Sequence, residues 1–241
     1  MTAGSLTAGR DHGGESGHRR RERVPFQVII IYSLLFYAVW TAFELYFKPY
    51  LESLDADPVL MQFIKSGLIK NLAWTLPALL LVKKYESCVQ IGLKEMFTAK
   101  IDWRLTAALL AGTAAYALVP KLIRSGSLEI SPEFTVCTLI GYLFVGITEE
   151  SVFRGWLLNA TAGDDKRSLI LAYAVNGVMF TLIHVPTWYM HGMLGVAIGQ
   201  FGFLSIIALG TFFGWALLRT RNLLVPVAIH MLYDILFDLF I

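Results

Sequence analysis

The sequence predicts an all-α polytopic membrane protein, a bundle of seven or eight transmembrane helices, and three observations carry that expectation. Apolar residues make up 56% of the 241 positions and charged residues only 16%, where a soluble domain carries about 25% charged residues. The missing charge is concentrated in long apolar blocks, and the mean hydropathy reaches +0.60, the pattern of a chain that crosses a bilayer repeatedly. Lysine and arginine also segregate to alternate connections between those blocks, as spanning chains do.

Taken in order, residues 1–23 (MTAGSLTAGRDHGGESGHRRRER) are rich in Gly, Ser and charge and have no apolar periodicity. They read as a disordered cytoplasmic arm in which His12 and His18 are solvated. The arginines before the first apolar run imitate a signal peptide. The run from Pro25 to Phe47 is of spanning length, however, and no small-residue cleavage site follows it, so a retained first helix is expected. The spans fall at 25–47, 61–82, 103–120, 133–158, 172–191, 195–218 and 222–241, against ~20 residues needed to cross ~30 Å. The second is the weakest because Lys65 and Lys70 interrupt it. Residues 24–132 supply the N-terminal helices, and 133–241 hold the polar anomalies discussed below.

With the N-terminus inside, the cytoplasmic side collects Arg10, Arg19, Arg20, Arg21, Arg23, Lys83, Lys84, Lys94, Lys100, Arg104, Lys166, Arg167, Arg219 and Arg221. The other side collects Lys48, Lys121 and Arg124, so the ratio is fourteen to three. That bias fixes the expected orientation and places Asn159-Ala160-Thr161 inside, where this sequon is not glycosylated. The net charge of +2 gives no basic face for nucleic acid, so the expected partners are membrane lipid and a membrane-associated peptide or protein. The expected location is a prokaryotic plasma membrane. Cys88 and Cys137 have neither disulfide nor metal-ligand spacing and read as inert thiols.

Within EFTVCTLIGYLFVGITEESVFRGWLL stand Glu149, Glu150 and Arg154. Each charge near the bilayer centre costs roughly 2.5–3.5 kcal/mol on insertion scales, so such residues usually mark a site. Glu150 and Arg154 are four apart with the acid first, the favoured helical pair. Glu149 points about 100° away with no local cation, which makes it the candidate general base. His184 shares a face with Phe180 and Asn176, and His230 shares one with Asp234. The His230–Asp234 pair reads either as a carboxylate fixing the imidazole tautomer or as two groups facing one reacting oxygen. Asp238, further along that face, reads as structural and His191 as interfacial. Glu44 is another intramembrane acid, near the outer end of the first span.

Three motifs in order, Glu149-Glu150-Ser-Val-Phe-Arg154, Phe180-Thr-Leu-Ile-His184 and His230-Met-Leu-Tyr-Asp234, together resemble the CAAX prenyl protease and bacteriocin-processing family, also called Abi or CPBP, of intramembrane proteases. The resemblance covers about residues 133–241. It implies an all-helical membrane endopeptidase whose active site lies between the last four helices and which hydrolyses membrane-associated substrates, prenylated CAAX-type ones among them. It further implies that Glu149 deprotonates the attacking water, His184 holds that water, His230 and Asp234 bind the scissile carbonyl, and Glu150 and Arg154 support the site. Asp234 departs from the asparagine frequent at that position, and an ionised aspartate would repel an oxyanion. The family is often named a metalloprotease, and Glu149, His184 and His230 would form a plausible zinc set. No HExxH helix is present, and metal-free activation by glutamate and histidine is equally consistent. Two rivals stand beside this reading: a non-catalytic immunity or scaffold protein of the same fold, and a proton-coupled transporter.

Overall fold

The computed structural model describes residues 22–241. Most of the arm expected over 1–23, with Arg10, His12, His18 and Arg19 to Arg21, lies outside the described residues. What is described is helical, and among these residues the only extended pairing is a single antiparallel bridge between Ile130 and Phe240.

Helix α1, Phe26–Glu52, follows Pro25 and includes a π-helical turn at Phe43–Phe47. Asp57 caps α2, residues 58–84, by accepting from the Leu60 amide at 2.8 Å, with Pro58 in the first turn, where its missing N–H costs nothing. The short α3, Leu93–Thr98, precedes α4, Trp103–Ser125, which Asp102 caps through the Arg104 and Leu105 amides. Gly126 ends α4 at φ 75°, a left-handed stop that favours glycine.

Thr135 and Thr138 form a reciprocal capping box at the start of α5, Val136–Thr161. Its second half, Ser151–Leu158, is π-helical and fully buried. Asp165 caps α6, Lys166–Met190, which is interrupted at Ile183–His184. Pro186 lacks the N–H that would reach back across that turn, so the break sits where the sequence demands it. The short α7, Leu194–Gly199, leads to α8, Gly202–Thr220, and a tight turn at Arg221 (φ 57°) enters α9, Leu224–Leu239.

Five of these helices, α1, α4, α5, α6 and α8, are long and apolar enough to span a membrane. The expected spans at 61–82 and 222–241 do not meet that test. The first is continuous helix but carries Lys65 and Lys70, and the second forms a helix of 16 residues. In the five, only 22–44% of the most apolar window is buried within the protein, and Leu34, Leu35 and Ile123 stand exposed. Side chains so apolar and so exposed are placed for lipid rather than water.

The core joins α1, α2, α5 and α6 through aromatic side chains. Phe36, Trp40, Phe43, Trp74, Phe153 and Phe180 pack in a chain of edge and tilted contacts with centroids 5.0–5.6 Å apart. Helix α8 lies along α6, and α9 packs on α4 and α5. The connections gather at two ends. At one, Asn222 Nδ2 donates to the Ala99 carbonyl (2.8 Å) and the Gln90 amide donates to the Asn159 carbonyl (3.1 Å). At the other, the 126–135 connection meets the end of α9 through the Ile130–Phe240 bridge, and Lys121 Nζ donates to the Phe240 carbonyl at 2.6 Å.

Candidate active site

The expected helical pair forms. Arg154 Nη1 donates to Glu150 Oε1 at 3.0 Å, with both side chains fully buried. Although Arg154 lies in the π-helical stretch, its four-residue spacing from Glu150 still brings the two together. Its Nη2 donates to the Gly210 carbonyl of α8 at 3.0 Å, and the guanidinium lies 4.1 Å over the Phe180 ring. A Cβ at position 210 would stand 3.1 Å from that Nη2 and 3.0 Å from Phe180, so the glycine permits the approach.

Glu150 also binds a second motif. His230 Nδ1 lies 2.8 Å from the same Oε1, across 80 residues of sequence. A carboxylate at this distance makes Nδ1 the donor, which fixes the tautomer of a neutral ring and leaves Nε2 to face the other way. The imidazole is stacked on Phe213 at 4.8 Å and met edge-on by Phe180 at 5.7 Å, so its plane is set by packing as well. Nε2 faces Asp234 Oδ2 at 3.4 Å and Glu149 Oε2 at 3.9 Å. The carboxylate against Nδ1 is thus Glu150, and Asp234 shares the opposite edge of the ring with Glu149.

His184 occupies the break in α6. Its Nδ1 lies 3.1 Å from the Phe180 carbonyl, and its ring sits between Phe180 and Trp188 at 5.4 and 5.8 Å. With Nδ1 donating to that carbonyl, Nε2 is the free ring nitrogen. His184, His230 and Asp234 line one cavity of about 710 Å³ bounded by α4, α6, α7, α8 and α9. Glu149 is 6% exposed and reaches this group through its contact with His230. Asn176, on the expected face with Phe180 and His184, instead donates to the Phe153 carbonyl at 2.8 Å. Asp238 accepts from the Tyr142 hydroxyl, and His191 is exposed.

Some of the surroundings were not evident from the motifs. Glu44 of α1 pairs with Lys70 Nζ (3.0 Å) and Lys48 Nζ (3.2 Å), and Lys70 lies 4.6 Å over the Trp40 ring. Trp40 Nε1 in turn donates to the Ile183 carbonyl at 3.1 Å, beside His184. The signal available in sequence was the presence of opposite charges, Glu44 and Lys70, on two neighbouring apolar segments. As to a metal, the arrangement does not fit the zinc set. Among the described residues no three His, Cys, Asp or Glu side chains are grouped to hold an ion. No step below is routed through a metal.

Fold and site together define a multi-pass helical membrane protein that brings two histidines and an aspartate to a cavity between helices, with two glutamates packed against one of the imidazoles. Residues 131–236 match the family model of the type II CAAX prenyl endopeptidases, Rce1-like, over the stretch that carries the three motifs. No significant match was found to a curated protein or to a solved structure.

Proposed function

We propose that the protein is an intramembrane endopeptidase that hydrolyses a peptide bond of a membrane-associated substrate, with prenylated CAAX-type peptides in the class. The observation that carries this reading is the coupling of two motifs through one atom. Glu150 Oε1 holds His230 Nδ1, so that Nε2 faces Glu149 and Asp234. In this reading Glu149 takes a proton from water as the oxygen attacks the scissile carbonyl. The C–O bond forms, the carbonyl becomes an oxyanion, and Glu149 returns the proton to the amine as the C–N bond breaks. His184 offers Nε2 to the attacking water from the cavity wall. His230 supplies an Nε2–H to the oxyanion when it is protonated, and Asp234 on the same ring edge orients that group rather than binding the oxyanion itself.

The test is cleavage of a lipid-anchored, internally quenched peptide library by the purified protein in nanodiscs. Glu149→Ala, His184→Ala and His230→Ala should each lower kcat/KM by at least about 10²-fold while the protein stays inserted and folded. Wild-type turnover in Glu149→Ala would remove the catalytic reading. The non-catalytic rival, an immunity or scaffold role, requires instead that Glu149→Ala retain full protection of cells.

A further inference from the structure

Glu149 has no cation of its own on α5. Arg154, on the same helix, is committed to Glu150 and to the Gly210 carbonyl, and His230 gives Nδ1 to Glu150. From α9 the Glu149 carboxylate is faced by His230 Nε2 at 3.9 Å and by the like charge of Asp234. A further cation acts on it from α2, and that cation is Lys70. The packing accounts for the approach. Helices α2 and α5 run parallel, with Gln62 against Gly141 and Phe144 against Gly67. A Cβ on either glycine would stand 2.8 or 2.9 Å from that neighbour. Eight residues beyond Gln62 stands Lys70, and eight beyond Gly141 stands Glu149, so the register of the two helices brings the pair level.

Lys70 exceeds what its immediate partner requires. Glu44 accepts from Lys70 Nζ at 3.0 Å and also from Lys48 Nζ, four residues along α1, at 3.2 Å. One lysine neutralises Glu44, so the triad carries a net charge of +1. Across the α2–α5 contact, Glu149, Glu150 and Arg154 sum to −1 with both glutamates ionised and His230 neutral. Buried charge is costly unless it is balanced, and these two groups balance only when taken together. The Lys70 ammonium is also fixed in place, 4.6 Å over the Trp40 ring and 5.3 Å over Phe43. The backbone marks the same layer. Glu44 lies in the π-helical turn of α1, and Lys70 stands between two π-helical stretches of α2, Phe63–Ile69 and Asn71–Thr75. Glu149 and Glu150 immediately precede the π-helical half of α5. Such turns gather at functional sites.

We propose that Lys70, held by Glu44, Trp40 and Phe43, is a positioning residue of the active site and supplies the counter-charge of the Glu149 carboxylate. This inference rests on the peptidase reading and adds to it a group from outside the matched stretch, which begins at residue 131. Lys70 acts through Glu149 and does not itself touch the substrate. The acid that takes the proton from water is thus supported from two sides, by the imidazole of His230 on α9 and by the ammonium of Lys70 on α2.

The experiment uses the full chain in nanodiscs and compares Glu44→Gln, which keeps the Lys70 cation, with Glu44→Gln combined with Lys70→Met, which removes the whole pair. If Lys70 served only to neutralise Glu44, the single variant, with an unmatched buried cation, would be the worse of the two. A counter-charge to Glu149 requires the opposite order. Per folded molecule, kcat should be at least about tenfold lower in the double variant than in the single one, with KM unchanged. That is a part of the roughly 10²–10⁴-fold that a general base contributes. Equal kcat values, or a lower value in the single variant, overturn the proposal. Where too little of either variant is active to measure, a second readout decides without turnover. A hydrophobic carbodiimide modifies a carboxylic acid in an apolar site and spares a carboxylate, and mass spectrometry follows its attachment to Glu149, with Glu149→Gln as the blank. Attachment should be several-fold faster in the double variant than in the wild type, and equal rates overturn the proposal. Undiminished cleavage by Glu149→Ala would remove the peptidase reading alone, since the carbodiimide comparison reports the charge pairing whether or not a peptide is cut.

Discussion

Replacing Arg154 by methionine tests whether the buried centre is held by charge. The substitution keeps an unbranched side chain of similar reach in a space closed to solvent, and it removes three interactions. These are the 3.0 Å donation to Glu150, the 3.0 Å donation to the Gly210 carbonyl and the stacking 4.1 Å over Phe180. Two magnitudes compete. Hydrogen bonds between membrane helices average about 0.6 kcal/mol in double-mutant cycles, which would give little more than 1 kcal/mol for the two. Removing one member of a fully buried ion pair costs about 3–5 kcal/mol, because the remaining charge is stranded. Glu150 is wholly buried, and its Oε2 already has no hydrogen-bond partner among the described residues, so the larger figure should win. That is two to four decades in the unfolding equilibrium at about 1.4 kcal/mol each. The assay is reversible unfolding in mixed micelles for Arg154→Met, Glu150→Gln and the double variant. The double variant should recover much of the stability lost by Arg154→Met, since no stranded charge remains, while cleavage stays abolished because His230 has lost its carboxylate. A loss below 1 kcal/mol in Arg154→Met, or additive losses in the double variant, would refute the reasoning.

Two further outcomes follow from the packing and the surface. Gly210→Ala puts a methyl 3.0 Å from Phe180 and 3.1 Å from Arg154 Nη2. It should cost about 1–3 kcal/mol by overpacking in the same unfolding assay and lower turnover through the displaced guanidinium. At the surface, Arg221 donates to Glu95 from both Nε and Nη2, the latter at 2.9 Å, and these hydrogen bonds hold the Glu95 carboxyl below its ordinary 4.5. A depressed folded-state value gives stability that is present above pH 4.5 and lost as pH falls through the lower folded value. The pair is about half exposed, so its share is below about 1 kcal/mol. Glu95→Gln should flatten that acid limb by no more than this amount in pH-dependent unfolding.

The spans were legible as long apolar runs, and four of the helices carry a local sign as well. Asp57, Asp102, Thr135 and Asp165 stand one residue before α2, α4, α5 and α6, and each side chain accepts from the amides of the turn that follows. The Glu150–Arg154 pair was legible for the same reason, its spacing of four residues being enough. The partner of His230 was not. Spacing within α9 offered Asp234, four residues on, whereas the hydrogen bond to Nδ1 comes from a helix 80 residues away, and no local pattern records a contact of that separation. The spans at 61–82 and 222–241 show another limit. Hydropathy reads how apolar a segment is against lipid, while α2 carries two lysines that are met by Glu44 and Glu52 of α1. A buried partner changes the cost of a charge without changing the segment's own composition.

The matched family domain begins at residue 131, yet the position of His184 is set partly from outside it. Pro186 breaks α6 just after the histidine, and a broken helix offers no reason of its own to hold one direction. Helix α1 supplies that reason: Tyr37 donates to the Met179 carbonyl at 2.6 Å and Trp40 to the Ile183 carbonyl at 3.1 Å, one contact on each side of Phe180. The indole is itself gripped by the cation of Lys70, which Glu44 holds. Each of these groups is polar in a place where polarity is costly, and each satisfies another, so removing one would leave its partner exposed to the full penalty. The N-terminal helices therefore do more than enclose the site. They clamp the hinge that carries one of its two histidines, while Glu150 clamps the other, and the two rings face the same cavity because two separate parts of the chain hold them there.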